Sequence, residues 1–128
     1  MAFVADFETT VDPKDCRVWA YAICDIEAPD NVNIGINIES FMNWCNWKGN
    51  NDTVFFHNLK FDGGFIIDWL LKHDFKHIQD PEERESKTFT TLISDKGLFY
   101  QIEVIFWKQG KKIKKITFQD SLKLLPMS

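Results

Sequence analysis

Thr53-Val54-Phe55-Phe56-His57-Asn58-Leu59-Lys60-Phe61-Asp62-Gly63-Gly64 carries the change of period that decides the fold. Residues 53–56 are short and apolar, the pattern of a strand covered on both faces. After His57-Asn58 the spacing becomes helical: Phe61, Phe65 and Trp69, with Ile66 and Leu70 alongside, predict the buried stripe of a helix over 60–73. A buried strand feeding an amphipathic helix is a unit of a layered α/β architecture.

The segments upstream of this unit have the period of strands. Residues 2–8 are short, apolar and interrupted by acids, and 17–26 are rich in aromatic and β-branched side chains. A turn is expected between them at 11–15, where Asp12, Pro13 and Asp15 supply the turn chemistry. Pro29-Asp30-Asn31 is read as a break before a third short strand over 32–36, which makes an antiparallel meander. Phe41, Trp44 and Cys45 then recur at i, i+3 and i+4, predicting a short helix over 39–47.

Downstream, residues 80–86 form an acidic stretch expected to be a solvated loop. Strands over 88–94 and 98–107 flank Asp95-Lys96-Gly97, a hairpin signal. Gln109-Gly110 turns the chain into a last strand over 113–119, and residues 120–128 have the look of a further element starting. The order is β-β-β-α-β-α, then a hairpin and a strand. A meander leading into βαβ connections is one way to build a ribonuclease H-like sheet with the first strand at its centre.

Composition narrows the function classes. At 128 residues the chain is one domain or a piece of one. Twelve Phe and five Trp are far too many for intrinsic disorder. No apolar run approaches the ~18 residues of a membrane span, and two acids within the first eight residues argue against a signal peptide. The net charge of −4 does not advertise nucleic-acid binding, but carboxylates lining a metal site also produce a mildly acidic total. Cys16, Cys24 and Cys45 share no CxxC spacing and read as reduced, buried packing residues.

Asp6 and Glu8 are the first candidates for chemistry. Two apart on a strand, their side chains leave the same face, and their mutual repulsion raises each pKa unless a cation sits between them. Hard oxygen ligands suit Mg²⁺ or Mn²⁺. A solvent-facing pair on an edge strand is the plainer alternative. Asp62 is the third acid, in the first turn of the second helix, where the helix dipole favours negative charge. Gly63-Gly64 inside that helix costs ~1 kcal/mol per Gly relative to Ala, a loss easier to retain where a backbone or ligand approaches closely. If the strands preceding both helices end at one carboxyl edge, the second helix brings Asp62 to Asp6 and Glu8. Phe61 and His57 have structural readings of their own, as core packing and as a satisfied histidine. The run Lys108, Lys111, Lys112, Lys114 and Lys115 is either a solvated hairpin tip or a surface that approaches a DNA backbone.

Four stretches carry a resemblance: Asp6-Phe7-Glu8-Thr9-Thr10, Cys16-Arg17-Val18-Trp19-Ala20-Tyr21, His57-Asn58-Leu59-Lys60-Phe61-Asp62-Gly63 and Asp120-Ser121-Leu122-Lys123. In order and through nearly the whole chain, they resemble the amino-terminal 3′–5′ exonuclease domain of protein-primed family B DNA polymerases of small tailed phages. The resemblance implies a ribonuclease H-like (DnaQ-like) α/β fold with a mixed sheet and flanking helices. It implies that Asp6, Glu8 and Asp62 are the catalytic, metal-binding acids. It places Thr10, His57, Asn58, Phe61, Ser121 and Leu122 against single-stranded DNA. The implied reaction is proofreading hydrolysis of the terminal phosphodiester, releasing a nucleotide 5′-monophosphate. The cofactor is Mg²⁺ or Mn²⁺, two ions in the family and one or none in this chain. The implied location is the cytoplasm of a bacterial host.

The resemblance also has a boundary. Family members continue into a helix with a third exonuclease motif, a tyrosine and an aspartate four residues apart, and then into the polymerase. This sequence stops at Ser128, so residues 1–128 are read as an incomplete exonuclease-like domain without a polymerase domain. The fragment is expected to be a feeble or inert nuclease, with one sheet face left apolar and exposed. Expected partners are single-stranded DNA, with terminal protein, a complementing polymerase fragment or a second copy as further candidates, and no membrane. Two alternatives stand beside it: an inactive nuclease-fold module that binds single-stranded DNA or a replication or host protein, and a small nuclease completed by dimerisation.

Overall fold

The computed structural model describes residues 1–10, 12, 14–48, 50–93 and 99–121. The elements, in chain order, are β1 (Ala2–Thr9), β2 (Val18–Asp25), β3 (Ala28–Gly35), α1 (Ile38–Lys48), β4 (Asp52–Phe56), α2 (Leu59–Lys72), β5 (Lys76–His77), a 3₁₀ turn (Pro81–Glu83), β6 (Thr88–Ile93), β7 (Phe99–Gln109) and β8 (Lys112–Asp120). Among the described residues eight strands make one mixed sheet in the order β3-β2-β1-β4-β8-β7-β6-β5. The expected α/β class holds; β1, expected at the centre, is interior but third of the eight, and β4 and β8 take the two central places. The predicted hairpin turn at 95–97 and most of the predicted closing element, residues 122–128, lie outside the described residues.

β4 pairs in parallel with β1 on one side and β8 on the other. Three strands therefore end at one edge of the sheet, at Thr9, Phe56 and Asp120. Both helices pack on one face. Phe41 of α1 meets Phe7, Tyr21 and Phe56 edge-on at ring-centroid distances of 4.8, 5.3 and 5.9 Å. Phe118 of β8 joins the same cluster, 6.0 Å from Phe56. Phe41, Phe56 and Phe118 are wholly buried. Full burial of a side chain this size stabilises by roughly 1.5–3 kcal/mol, so these rings are a main source of stability.

α2 buries a stripe different from the predicted one. Leu59, Gly63, Ile66, Trp69 and Leu70 face the sheet, while Phe61 is 47% exposed and packs at the surface against Phe65. Gly63 explains the rotation. A Cβ there would lie 3.1 Å from Cδ1 of Ile102 in β7, so the missing side chain lets the helix settle on the sheet. Gly64 meets nothing within 4 Å. The close approach allowed for both glycines in the sequence thus exists at Gly63 alone.

Two smaller expectations are also corrected. Pro29 lies inside β3 rather than before it, because β3 is an edge strand whose outer side needs no N–H donor. Of the three free cysteines, Cys45 is buried, Cys24 is half-buried and Cys16 is exposed. The acidic stretch 80–86 is exposed as expected, apart from half-buried Arg84, and it is anchored at two points. Asp80 caps the 3₁₀ turn through the N–H of Glu82, and Arg84 donates to buried Glu103 at 2.6 and 3.0 Å. Glu103 lies on the face opposite the helices. Val4, Val32 and Ile34 are exposed on that same face, and among the described residues no helix covers it.

Gly35 closes β3 directly opposite Tyr21. A Cβ at that position would clash with Cε2, Cζ and the hydroxyl of Tyr21, whose ring is itself buried against Phe41. Gly35→Ala is expected to cost about 1–3 kcal/mol through overpacking. The check is the urea midpoint of unfolding. A midpoint equal to wild type would show that the ring swings aside freely.

Candidate active site

β1 alternates cleanly. Phe3, Ala5 and Phe7 enter the core, and Asp6 and Glu8 are exposed on the other face. β4 ends at Phe56, opposite Ala5, so β1 runs on past it toward Thr9 without a strand on that side. The first turn of α2 comes up to this part of β1. The Asp62 carboxylate accepts a hydrogen bond from the backbone N–H of Phe7. The side chains of Asp6 and Glu8 lie close enough to act on it electrostatically. Three acids from two stretches of chain, β1 and the first turn of α2, therefore come within electrostatic reach of one another at the carboxyl edge of β1 and β4.

Asp62 is only 5% exposed. Burial first, and then the charges of Asp6 and Glu8, raise its pKa to about 6, with the Phe7 N–H pulling the other way. Among the described residues, no Lys or Arg pairs with any of the three acids. The donor chemistry suits a hard divalent cation, which would relieve this repulsion. The spacing is looser. Among the described residues, no three His, Cys, Asp or Glu side chains converge into a group able to hold a metal ion.

The residues around the acids differ in how free they are. Asn58 occupies the position before α2, yet its side chain makes no capping bond. That role falls to Asp120 at the end of β8, whose carboxylate accepts the N–H of Leu59 at 3.3 Å. The Asn58 amide and the exposed His57 ring are left open to solvent beside the acids. Phe61 lines a groove of about 410 Å³ with Cys16, Gly64, Phe65, Asp68 and Lys72, which sets the loop before β2 against the outer face of α2. Ser121 is half-buried just past β8. Leu122 lies outside the described residues.

Thr10 is more committed than the sequence suggests. Its hydroxyl donates to the carbonyl of Asp15 and accepts the N–H of Arg17, so it closes the loop into β2. Asp120 is the functional residue whose role sequence reasoning missed. An acid at the carboxyl end of a parallel strand was the available signal, but the helix it caps is 61 positions away in sequence.

Comparison with known proteins follows this geometry. The chain is 43% identical over 124 residues to the DNA polymerase of Bacillus phage Nf and 42% identical over 124 residues to that of Bacillus phage phi29. Against the DNA polymerase of Streptococcus phage Cp-1 it is 28% identical over 138 residues. The chain is a relative of the phi29 family of phage DNA polymerases. The matches take in 97–98% of this chain and 21% of each polymerase, so it spans about a fifth of their length. Solved structures agree. Phi29 DNA polymerase complexed with single-stranded DNA superposes with a TM-score of 0.85 at 36% identity, over 98% of this chain and 22% of the polymerase. Its ternary complex with primer-template DNA and incoming nucleotide gives 0.86 at 37%, over 99% of this chain and 22% of the polymerase. No family model matches the sequence. The relationship to phage polymerases expected from the four sequence stretches is thus shown.

The raised pKa of Asp62 has a definite sign. Between its ordinary value of 3.8 and about 6, the folded chain holds a proton that the unfolded chain releases. Stability contributed at this position is present below about pH 3.8 and is lost as pH rises through about 6. In buffer without divalent metal, Asp62→Asn should therefore be more stable than wild type at pH 7, and the gain should vanish toward pH 4. Urea midpoints of both proteins across that range test this; a gain that does not change with pH would exclude repulsion among the acids as its source.

Proposed function

We propose that the edge bearing Asp6, Glu8 and Asp62 is the metal-binding part of a 3′–5′ exonuclease site, one that hydrolyses the terminal phosphodiester of single-stranded DNA as part of a phage DNA polymerase. The observation that carries this reading is the burial of the Asp62 carboxylate within electrostatic reach of two other acids, with no cation from the described residues to offset them. Structure alone gains nothing from that repulsion. A site that binds Mg²⁺ or Mn²⁺ does. The ribonuclease H-like fold belongs to the same proposal, supported by the parallel β1, β4 and β8 at the centre of a mixed sheet.

The chain's own residues divide the work. Asp6 and Glu8 offer oxygen ligands from β1, and Asp62 offers one from α2, fixed in place by the Phe7 N–H. A divalent cation bound there would activate the attacking water and stabilise charge on the leaving 3′ oxygen. Asn58 and His57 present polar groups to the sugar and phosphate of the terminal nucleotide, and the exposed ring of Phe61 presents a stacking face in the adjoining groove. Thr10 acts by holding the loop that forms the groove's other wall. Ser121, just past β8, contacts the DNA strand as well. DNA binding is further supported by the relatives solved as complexes with single-stranded and primer-template DNA.

A second reading is a nuclease-fold module that binds single-stranded DNA without cleaving it. The loose spacing of the three acids favours it. One assay separates the two. If the site is catalytic, Mn²⁺ should drive release of mononucleotides from the 3′ end of a labelled single strand. Asp6→Ala and Asp62→Asn should each reduce that release on the order of 10²-fold or more. Mn²⁺ should also raise the melting temperature of wild type and leave that of Asp6→Ala unchanged. Binding that ignores chelator, with no release at any Mn²⁺ concentration, would overturn the exonuclease reading in favour of the module.

A further inference from the structure

The stretch Lys108-Gln109-Gly110-Lys111-Lys112-Ile113-Lys114-Lys115 is the densest positive charge in a chain of net charge −4, and the carboxylate edge makes no use of it. The register of the β7–β8 hairpin sorts its lysines. β7 has an irregularity at Phe106, between the pairs Ile105↔Lys115 and Trp107↔Lys114. Lys115 reaches Glu103 at 3.7 Å, and the Lys108 ammonium donates to the carbonyl of Arg84 at 3.1 Å. Those two are spent on holding the segment around Arg84. Lys112 and Lys114 point to the face that carries the helices, and among the described residues neither meets an acid.

Beside them is an open cavity of about 610 Å³, lined by Asn46 of α1, by Asn50 beyond its end, and by Phe106, Trp107, Ile113 and Lys114 of the hairpin. Phe106 is buried beneath, while Trp107 is 43% exposed at the rim. Keeping a large indole in water is unfavourable unless something covers it. Here it stands with an ammonium across the strand pair and two primary amides on the opposite wall. An acidic polypeptide would engage the cations and leave the indole unused. A nucleotide uses all three: the base stacks on the indole, the phosphate meets the ammonium, and the base edge exchanges hydrogen bonds with the amides.

We propose that this cavity is a second nucleic-acid site, which takes one unpaired nucleotide of a single strand by stacking its base on Trp107 with Lys112 and Lys114 on the flanking phosphates and Asn46 and Asn50 at the base edge. A duplex does not fit this chemistry, because paired bases keep their faces inside the stack. Asp120 lies six positions along β8 from Lys114, roughly 20 Å at 3.3 Å per residue, so the cavity is distinct from the carboxylate edge. The inference stands whether or not that edge cleaves DNA.

The test uses the 128-residue chain in chelator, so that no strand is cut. Binding of a labelled oligothymidylate of about twelve nucleotides is followed by fluorescence anisotropy, and the indole N–H resonances are followed by NMR. The Trp107 resonance is expected to shift on titration while those of buried Trp69 and half-buried Trp44 stay in place. Trp107→Ala should weaken binding by about fivefold or more, with Trp107→Phe keeping most of the affinity. The double variant Lys112→Gln, Lys114→Gln should lower the slope of log affinity against log salt by about 1.4, or about 0.7 for each lysine on a single strand. The wild-type NMR titration needs no variant to fold. Wild-type affinity and salt slope in these variants, or an unmoved Trp107 resonance, would overturn the proposal. So would displacement of the oligonucleotide by polyglutamate or by duplex DNA as readily as by unlabelled single strand.

Discussion

β4 is hydrogen-bonded in parallel on both sides, and the rest of the molecule follows from that constraint. Parallel neighbours cannot be joined by a tight turn, so the chain must leave the sheet and cross over between β1 and β4 and again between β4 and β8. Each crossover includes a helix, and α1 and α2 land on one face, where Phe41 meets Phe7, Phe56 and Phe118. The same constraint sends three strand ends to a single edge. In open α/β sheets that edge is where ligands bind, because the strands stop and side chains and helix N-termini take over.

At that edge the protein accepts an electrostatic conflict. Asp62 is nearly buried, repelled by Asp6 and Glu8, and offset by one backbone N–H. Helix α2 also forgoes its local cap. Asn58 stands in the capping position without capping, and Asp120 supplies a bond to Leu59 from across the fold. Both departures cost stability that local rules would have preserved, and both leave polar groups facing one small region. Such departures cluster where a ligand rather than the fold is being served.

Much of this was legible in the sequence. The alternation of β1 placed Asp6 and Glu8 on one face, since a strand has a period of two. The apolar run at the end of β4 and the helical spacing after Asn58 fixed the strand–helix unit. The misreadings have specific causes. Phe61 falls on the predicted stripe because it stands four and eight positions before Phe65 and Trp69, whereas Gly63, with no side chain to count, marks the true contact with Ile102. Pro29 was taken as a break because its place on an edge strand depends on strand order. Cys16 was expected to be buried, and it lines the groove beside Phe61.

The sequence by itself determined the longer strands and both helices, and which acids and aromatics are available, because these depend on period and residue chemistry within a few positions. Only the tertiary structure decided that Asp62 would come within electrostatic reach of Asp6 and Glu8, that Asp120 would cap α2, and that Trp107 would stand beside Lys114 and the end of α1. Those pairings depend on strand order, on the irregularity at Phe106 and on how closely a glycine lets a helix approach the sheet. Each is a long-range consequence of packing, carried by no single stretch of chain.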